Sequence, residues 1–337
     1  MLIERFDPQQ DTSKLTACFD ITEAGWPIDH PDEPGWAFDS FVGKWARGYD
    51  TAPRQTWLAT DSAGDPIGCY LLRLPDRENQ TMGYCTLTVH PVARRAGVGT
   101  ALLAHCAAQA READRSRLVA QARDDSPGAA FAAAHGASPG IPEVGRVLDI
   151  DEALPARLAG LRLSAEPHAD GYSFVSWVGP TPDDYVGHVV SVHGAMADAP
   201  RGDGVEPSVW DADRLRQSEQ TMVEHRLTNY ALAAWHEETD RIAALTEVCT
   251  EADTPDWGFQ QITAVLPEHR GHRLGLLVKI GMMEFLTEHE PDVRHIQTFN
   301  AHANDHMVAI NEQLGYRVVH VYRDWELDLT AASFGQS

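Results

Sequence analysis

At 337 residues, with 43% hydrophobic and 23% charged residues, the chain is long enough for two domains of ordinary size and has a globular composition. Its formal charge of −23 argues against a nucleic-acid partner, because phosphate backbones require a positive surface. That charge suits a cationic small molecule such as an amine, or is simply a solvated acidic surface. No apolar run approaches the roughly 18 residues of a membrane span, so no membrane partner is expected. Met1-Leu-Ile-Glu-Arg-Phe6 lacks the regions of a signal peptide. Cys18, Cys69, Cys85, Cys106 and Cys249 have no CxxC spacing and read as free thiols of a reducing compartment, which predicts a cytoplasmic protein.

Residues 2–6 read as a first strand. Residues 11–45 read as a helical region broken by Pro27, Pro31 and Pro34, with Trp26, Trp36 and Trp45 spread through it. Residues 55–60 and 66–74 form a hairpin around the Gly-containing turn 61–64, and 80–89 is the next strand. A helix at 100–110, a strand at 117–122, a short helix at 127–135 and a strand at 146–150 follow. After a polar, partly helical stretch at 151–167, the pattern restarts with a strand at 172–178 and a helix at 182–196. A long helical pattern at 210–229, a hairpin at 230–236 and 243–250, and a strand at 259–265 come next. The chain closes with a helix at 276–286, a strand at 295–299, a helix at 305–313 and strands near 317–322 and 325–329.

One motif organises this order. Val265-Leu-Pro-Glu-His-Arg-Gly-His-Arg-Leu-Gly275 carries a strand through a glycine- and arginine-rich turn into a helix. Such a helix start holds phosphate, because its first N–H groups are unpaired and the helix dipole is positive there. The motif occurs twice. Val89-His-Pro-Val-Ala-Arg-Arg-Ala-Gly-Val-Gly99 superposes on it at a constant offset of 176, matching Val89 to Val265, Pro91 to Pro267, Arg94 to Arg270 and Gly99 to Gly275. Further on, His135-Gly136 matches Leu314-Gly315, and Leu148-Asp-Ile150 matches Leu327-Asp-Leu329, at an offset of 179. Register kept over that distance implies a tandem duplication: a first domain at 1–152, a linker at 153–167 and a second domain at 168–337.

Three competing motifs fail. Gly136-Ala-Ser-Pro-Gly140 has the spacing of a hydrolase nucleophile, but Pro139 has no N–H to give an oxyanion hole. His302 and His306 are four residues apart without the Glu of a zinc-protease helix, so no metal is expected. Gly97-Val-Gly99 lacks the third glycine of a dinucleotide fingerprint, where Leu102 stands.

Arg94-Arg-Ala-Gly97-Val-Gly99 and Arg270-Gly-His-Arg273-Leu-Gly275 resemble the acetyl-CoA signature of the GNAT family, the GCN5-related N-acetyltransferases. Asn300 to Met307 and Ile310 to Tyr316 look like the family's last helix and its closing Leu-Gly-Phe. The two copies cover nearly the whole chain and look like the tandem members common in actinobacteria. The resemblance implies an α/β (α+β) fold of two tandem GNAT domains, each a mixed, mostly antiparallel central sheet flanked by helices. It also implies acetyl transfer from acetyl-CoA, as cosubstrate, to the amine of a small molecule by direct attack in a ternary complex. The cofactor residues implied are Val89, Arg94, Arg95, Ala96, Gly97, Val98, Gly99 and Thr100 in the first copy. In the second they are Val265, Leu266, Arg270, Gly271, His272, Arg273, Leu274, Gly275, Asn300 and Asn304, the last being equally well a helix N-cap.

The family's usual carboxylate and tyrosine are missing. Gly83 and Phe259 stand at the first position, Ala132 and Asn311 at the second. Tyr84, Glu206 and Asn311 are the remaining acid–base candidates, and Asp198, Asp203, Glu206 and Glu219 form an acidic group, in the region where family members bind acceptors, that suits a cationic amine or is simply an exposed acidic loop. Because the first copy has Arg123 in place of Asn300 and lacks Asn304 and Asn311, the second copy is expected to be catalytic and the first to support it. The alternative is a non-catalytic scaffold that senses CoA or sequesters a small molecule.

Overall fold

The computed structural model describes residues 1–331 apart from Asp32, Tyr49 and Thr51. The first half of the chain forms β1 (Leu2–Phe6), α1 (Thr12–Asp29), α2 (Phe38–Ala46), β2 (Arg54–Thr60), β3 (Pro66–Arg73) and β4 (Met82–Val89). It continues with α3 (Val98–Glu112), β5 (Arg117–Arg123), α4 (Pro127–Ala134) and β6 (Ser138–Asp149). After α5 (Leu154–Ala165) the second half repeats the order. It forms β7 (Tyr172–Val178), α6 (Val186–Gly194), α7 (Ala212–Glu224), β8 (Leu227–His236), β9 (Arg241–Glu251), β10 (Trp257–Val265), α8 (Leu274–His289), β11 (His295–Ala301), α9 (Asp305–Leu314) and β12 (Arg317–Asp328).

Several boundaries differ from the sequence pattern. α1 runs through Pro27, which lies in its last turn, instead of breaking there. The 210–229 pattern is a shorter helix, α7, followed by the start of β8. The two short strands expected after residue 316 are one strand, β12, and the closing strand of the first half is longer than expected.

The chain forms two compact units: residues 1–142 with 202–206 and 321–337, and residues 143–201 with 207–320. The expected boundaries follow the duplication, whereas the units follow strand pairing. In unit 1 the strand order is β1-β2-β3-β4-β5-β12, and in unit 2 it is β7-β8-β9-β10-β11-β6. All neighbours are antiparallel except β4–β5 and β10–β11, which are parallel. The terminal strand of each sheet therefore comes from the other half of the chain. Tyr322 to Asp328 of β12 pair with Arg123 to Arg117 of β5, and Glu143 to Asp149 of β6 pair with Ala301 to His295 of β11.

Each sheet is covered on both faces, and period-2 alternation sorts its side chains. In unit 1, Tyr70 and Leu72 face α3 with Leu102, Cys106 and Ala110, while Cys69 and Leu71 join Leu15, Cys18, Ile21, Phe41 and Trp45 on the α1–α2 face. In unit 2, Ala244 and Val248 pack with Leu277, Ile280, Met283 and Leu286 of α8, while Leu245 joins Val189, Val192 and Leu215 on the α6–α7 face. α8 is buried nearly all round, including Lys279, as expected of a helix that is apolar on most sides. All five cysteines are buried and free. No helix among the described residues is long and apolar enough to cross a membrane.

Candidate functional site

The two signature turns share a backbone shape. Each has two left-handed residues, Arg95 (φ 63°) and Gly97 (φ 83°) in unit 1, Gly271 (φ 89°) and Arg273 (φ 57°) in unit 2. Glycine and arginine have exchanged places between the copies. A left-handed non-glycine residue costs about 1–2 kcal/mol, so each copy keeps one strained arginine where its sister has a relaxed glycine. α3 and α8 begin directly after these residues without a side-chain cap. α2, α5 and α6 likewise have none, whereas α1, α4, α7 and α9 are capped by Asp11, Ser126, Asp211 and Asn304. The first-turn N–H groups of α3 and α8 are thus left for an outside acceptor, which the helix dipole makes an anion.

The residues of the turns divide by role. A Cβ on Gly97 or Gly271 would meet nothing within 4 Å, so both face open space. One on Gly99 would lie 3.1 Å from Phe131, and one on Gly275 would lie 3.3 Å from Ile310. The closing glycines thus let α4 and α9 pack closely. Arg94 is committed to Asp29 through two bonds of 3.0 and 2.7 Å and to the Val89 carbonyl at 3.1 Å. Arg270 pairs with Asp198 at 2.9 Å with both groups about half exposed. His272 Nδ1 lies 3.0 Å from the His168 carbonyl. Arg95 and Arg273 are exposed and pair with no carboxylate among the described residues.

Beside each turn the parallel strands part. β4 pairs with β5 only from Met82 to Tyr84, and β10 with β11 only from Trp257 to Phe259. Past those points the edge residues Cys85 to Val89 and Gln260 to Val265 leave main-chain groups open on that side, a template for an extended, amide-bearing ligand. Only in unit 2 is the register of the splayed strand shifted, between Gln260 and Ile262. Such a bulge bends the strand and re-aims its groups.

A buried polar chain lies on the α8–α9 side of unit 2. Lys279, fully buried, donates from Nζ to Asn311 Oδ1 at 2.7 Å, and Asn311 Nδ2 donates to Asn300 Oδ1 at 2.6 Å. The ammonium stands 4.7 Å over the Tyr316 ring, and burial pushes its pKa down to about 7. With its oxygen occupied by Asn311, Asn300 has its amide N–H groups left to offer on the partly exposed end of β11. In unit 1 the matching helix positions are Leu103 and Ala132. Arg117 pairs with Met82 as His295 pairs with Trp257, so the strand counterpart of Asn300 is Ala122. The sequence comparison had put Arg123 there; its register was off by one.

The other candidates each have partners within their own unit. Tyr84 and Glu206 belong to unit 1 and Asn311 to unit 2. Tyr84 donates to Met82 Sδ at 3.4 Å and lies under the Arg73 guanidinium. Burial raises its phenol, which Arg73 partly offsets, so it stays protonated at neutral pH. Glu206 is bound reciprocally to Asn79, each backbone N–H donating to the other's side chain at 2.8 Å. The Asp203 carbonyl accepts from Arg117 at 3.3 Å. Glu219 is buried, accepting from Thr181 N at 2.7 Å and Arg216 at 2.8 Å, which ties α7 to the loop before α6. Asn304 Oδ1 caps α9 by accepting from Met307 N at 3.3 Å, the helix-cap role the sequence also allowed.

Sequence reasoning missed a second buried polar group, on the α6–α7 face of unit 2. Glu247 on β9 accepts from His193 Nε2 at 3.0 Å and from Asn229 Nδ2 at 3.1 Å. The His193 ring also lies against Trp210, with centroids 4.2 Å apart. His193 and Glu247 are 54 residues apart in the chain, so no local spacing signals them.

An uncapped helix start beside a parted pair of parallel strands, repeated in two units, defines an acyltransferase fold. Residues 15–136 match the Acetyltransferase (GNAT) family, and over its whole length the chain has the fold of a tandem GNAT protein. It is similar over 100% of its length to 99% of a tandem GNAT protein from the clavulanic acid biosynthesis pathway, solved without acetyl-CoA, at 28% identity and a TM-score of 0.79. A GCN5-related N-acetyltransferase from Sphaerobacter thermophilus matches 97% of the chain, over 95% of its own length, at 16% identity and a TM-score of 0.70. A glucosamine N-acetyltransferase region of a fungal multi-domain β-N-acetylglucosaminidase matches 97% of the chain over 38% of its own length, at 15% identity and a TM-score of 0.65. These last two speak for the fold alone. No curated protein matches.

Proposed function

We propose that the chain transfers an acetyl group from acetyl-CoA to the amine of a small molecule, with unit 2 as the catalytic centre and unit 1 in support. The observation that carries this reading is the α8 start of unit 2: a left-handed turn opening onto uncapped N–H groups, next to the bulged and half-unpaired β10. These residues fit the cosubstrate. The turn amides with Arg273 would hold the pyrophosphate, and the β10 edge from Gln260 to Val265 would pair with the amides of the pantetheine arm. Asn300, its carbonyl held by Asn311, would donate to the same arm.

Acetyl-CoA supplies an activated acyl group when bound. The protein's own task is to hold a free amine against that carbonyl and to take its proton. Positioning two reactants in this way is worth ~7–11 kcal/mol of barrier. The acidic composition favours a cationic amine, and the similar protein from the clavulanic acid biosynthesis pathway is consistent with a small-molecule acceptor. The buried free thiols fit a reducing, cytoplasmic setting.

A second reading, a non-catalytic CoA or small-molecule binder, draws on the ion pairs Arg94–Asp29 and Arg270–Asp198, in which a carboxylate already engages each signature arginine. Thiol release from acetyl-CoA with a panel of primary amines (lysine, spermidine, glucosamine and phenethylamine) separates the two. The transferase releases thiol with at least one of them, whereas a pure binder releases none while still binding acetyl-CoA.

A further inference from the structure

We propose that His193, held by Glu247, is the group in unit 2 that takes the proton from the acceptor amine, and that the α6–α7 face around it is the site of a primary amine. This rests on the reading of unit 2 as a transferase. Three observations converge on it.

The first is cost. Glu247 is 6% exposed on a sheet face otherwise lined by Leu245, Val189, Val192, Leu215 and Ile262. Burying a carboxylate costs several kcal/mol unless it is paired, and the strand register puts Leu71 at the corresponding place in unit 1. An apolar residue therefore serves the fold there, and the charged group in unit 2 calls for a chemical reason.

The second is geometry. Glu247 pairs across the sheet with Ile262, the residue at which β10 resumes its register after the bulge. β10 is in turn the strand whose far edge lies open where β11 departs. Glu247 thus sits on the strand next to β10, ~4.8 Å away backbone to backbone, and the thioester arm would lie along β10's far edge.

The third is the state of the imidazole. Its Nε2 faces Glu247, so that in the neutral ring the proton sits on Nε2 and Nδ1 carries the lone pair. Among the described residues no group hydrogen-bonds to that Nδ1. Asn229, 7% exposed on the same face, gives its amide N–H to Glu247 and keeps a buried Oδ1 without a donor, an acceptor for an amine N–H. The groups around the imidazole are Glu247 and Asn229 from the sheet and Trp210 ahead of α7, with the Arg214 guanidinium over the outer side of the indole at 5.3 Å.

The step balances. The amine nitrogen forms the N–C bond, the C–S bond breaks with its electron pair on sulfur, and the proton shed by nitrogen goes to His193 Nδ1. The imidazolium is stabilised by the Glu247 carboxylate, and solvent returns its proton to the CoA thiolate.

The test compares His193→Ala, Glu247→Gln and the control His188→Ala, a histidine of the same helix that packs on Trp235. Acetyl-CoA affinity is read by calorimetry and kcat by thiol release with the best amine of the panel. The expected result is a kcat loss of ~10²–10³ for His193→Ala, partly restored by added imidazole, and a smaller loss for the isosteric Glu247→Gln. Acetyl-CoA affinity stays unchanged in both, and His188→Ala behaves as wild type. Wild-type kcat in His193→Ala overturns the assignment, as does a loss matched by lost acetyl-CoA affinity. A wild-type protein that binds acetyl-CoA but releases thiol with no amine overturns the transferase reading itself, a result distinct from either.

Discussion

Units 1 and 2 share strand order, parted parallel strands and an anion-ready turn, yet they differ wherever chemistry needs a polar side chain. Leu71, Leu103, Ala122 and Ala132 of unit 1 stand where unit 2 has Glu247, Lys279, Asn300 and Asn311. Unit 2 alone of the pair has a register shift in the splayed strand. The two units thus keep one backbone shape at the turns while their buried side chains diverge. On the proposed reading, polar groups buried at a cost in one copy, and replaced by apolar ones in the other, mark the catalytic unit.

The largest effect should come from the turns. Gly97→Glu and Gly271→Glu place an anion on an open, left-handed position whose sister carries an arginine, so both variants should fold. Gly271→Glu is expected to lower kcat/KM for acetyl-CoA by at least ~10²-fold, since adjacent like charges cost several kcal/mol away from bulk water, while Gly97→Glu leaves transfer within a few fold. Steady-state kinetics on both decide this.

Next comes the polar chain of unit 2. Asn311→Leu strands the buried Lys279 ammonium and frees Asn300, and should cost roughly 3–5 kcal/mol of stability, read by denaturant unfolding. The matching change in unit 1, Ala132→Leu, lies on a half-exposed helix and should cost far less.

The pH dependence of stability follows from Lys279. Burial lowers its pKa to about 7, below the ordinary lysine value, so the unfolded chain binds this proton more tightly. The penalty is fully present below about pH 7 and is relieved as pH rises toward the ordinary lysine range. The wild-type Tm should therefore rise between pH 7 and 9, and Lys279→Met should flatten that rise. An unchanged slope would mean the ammonium is not the source.

The smallest effect belongs to the signature arginine of unit 1. Asp29→Asn releases Arg94 from a partly exposed ion pair and should cost at most about 1 kcal/mol. If unit 1 binds acetyl-CoA weakly because Asp29 competes with phosphate, the same change raises its affinity, a second calorimetric site becoming visible.

The duplication and the turns were legible in the sequence because glycine, proline and arginine punctuate a local backbone path, and both copies keep that punctuation in register. The exchange of β6 and β12 was not legible, since strand periodicity says which face is buried but not which strand lies alongside. The match of Leu148 to Leu327 identified the two strands as equivalents without revealing that each completes the other half's sheet. Side-chain pairs distant in sequence were equally silent. Glu206 meets Asn79 127 residues away and His193 meets Glu247 54 residues away, so the first looked catalytic and the second went unseen. The close packing at Gly99 and Gly275 was silent for a related reason: their neighbours Phe131 and Ile310 come from α4 and α9.

The central claim is that unit 2 carries the reaction. Its most direct test is acetyl transfer by Gly97→Glu and Gly271→Glu side by side, with folding checked by thermal unfolding. The account predicts transfer retained in the first and abolished in the second; transfer abolished by Gly97→Glu and retained by Gly271→Glu would contradict it.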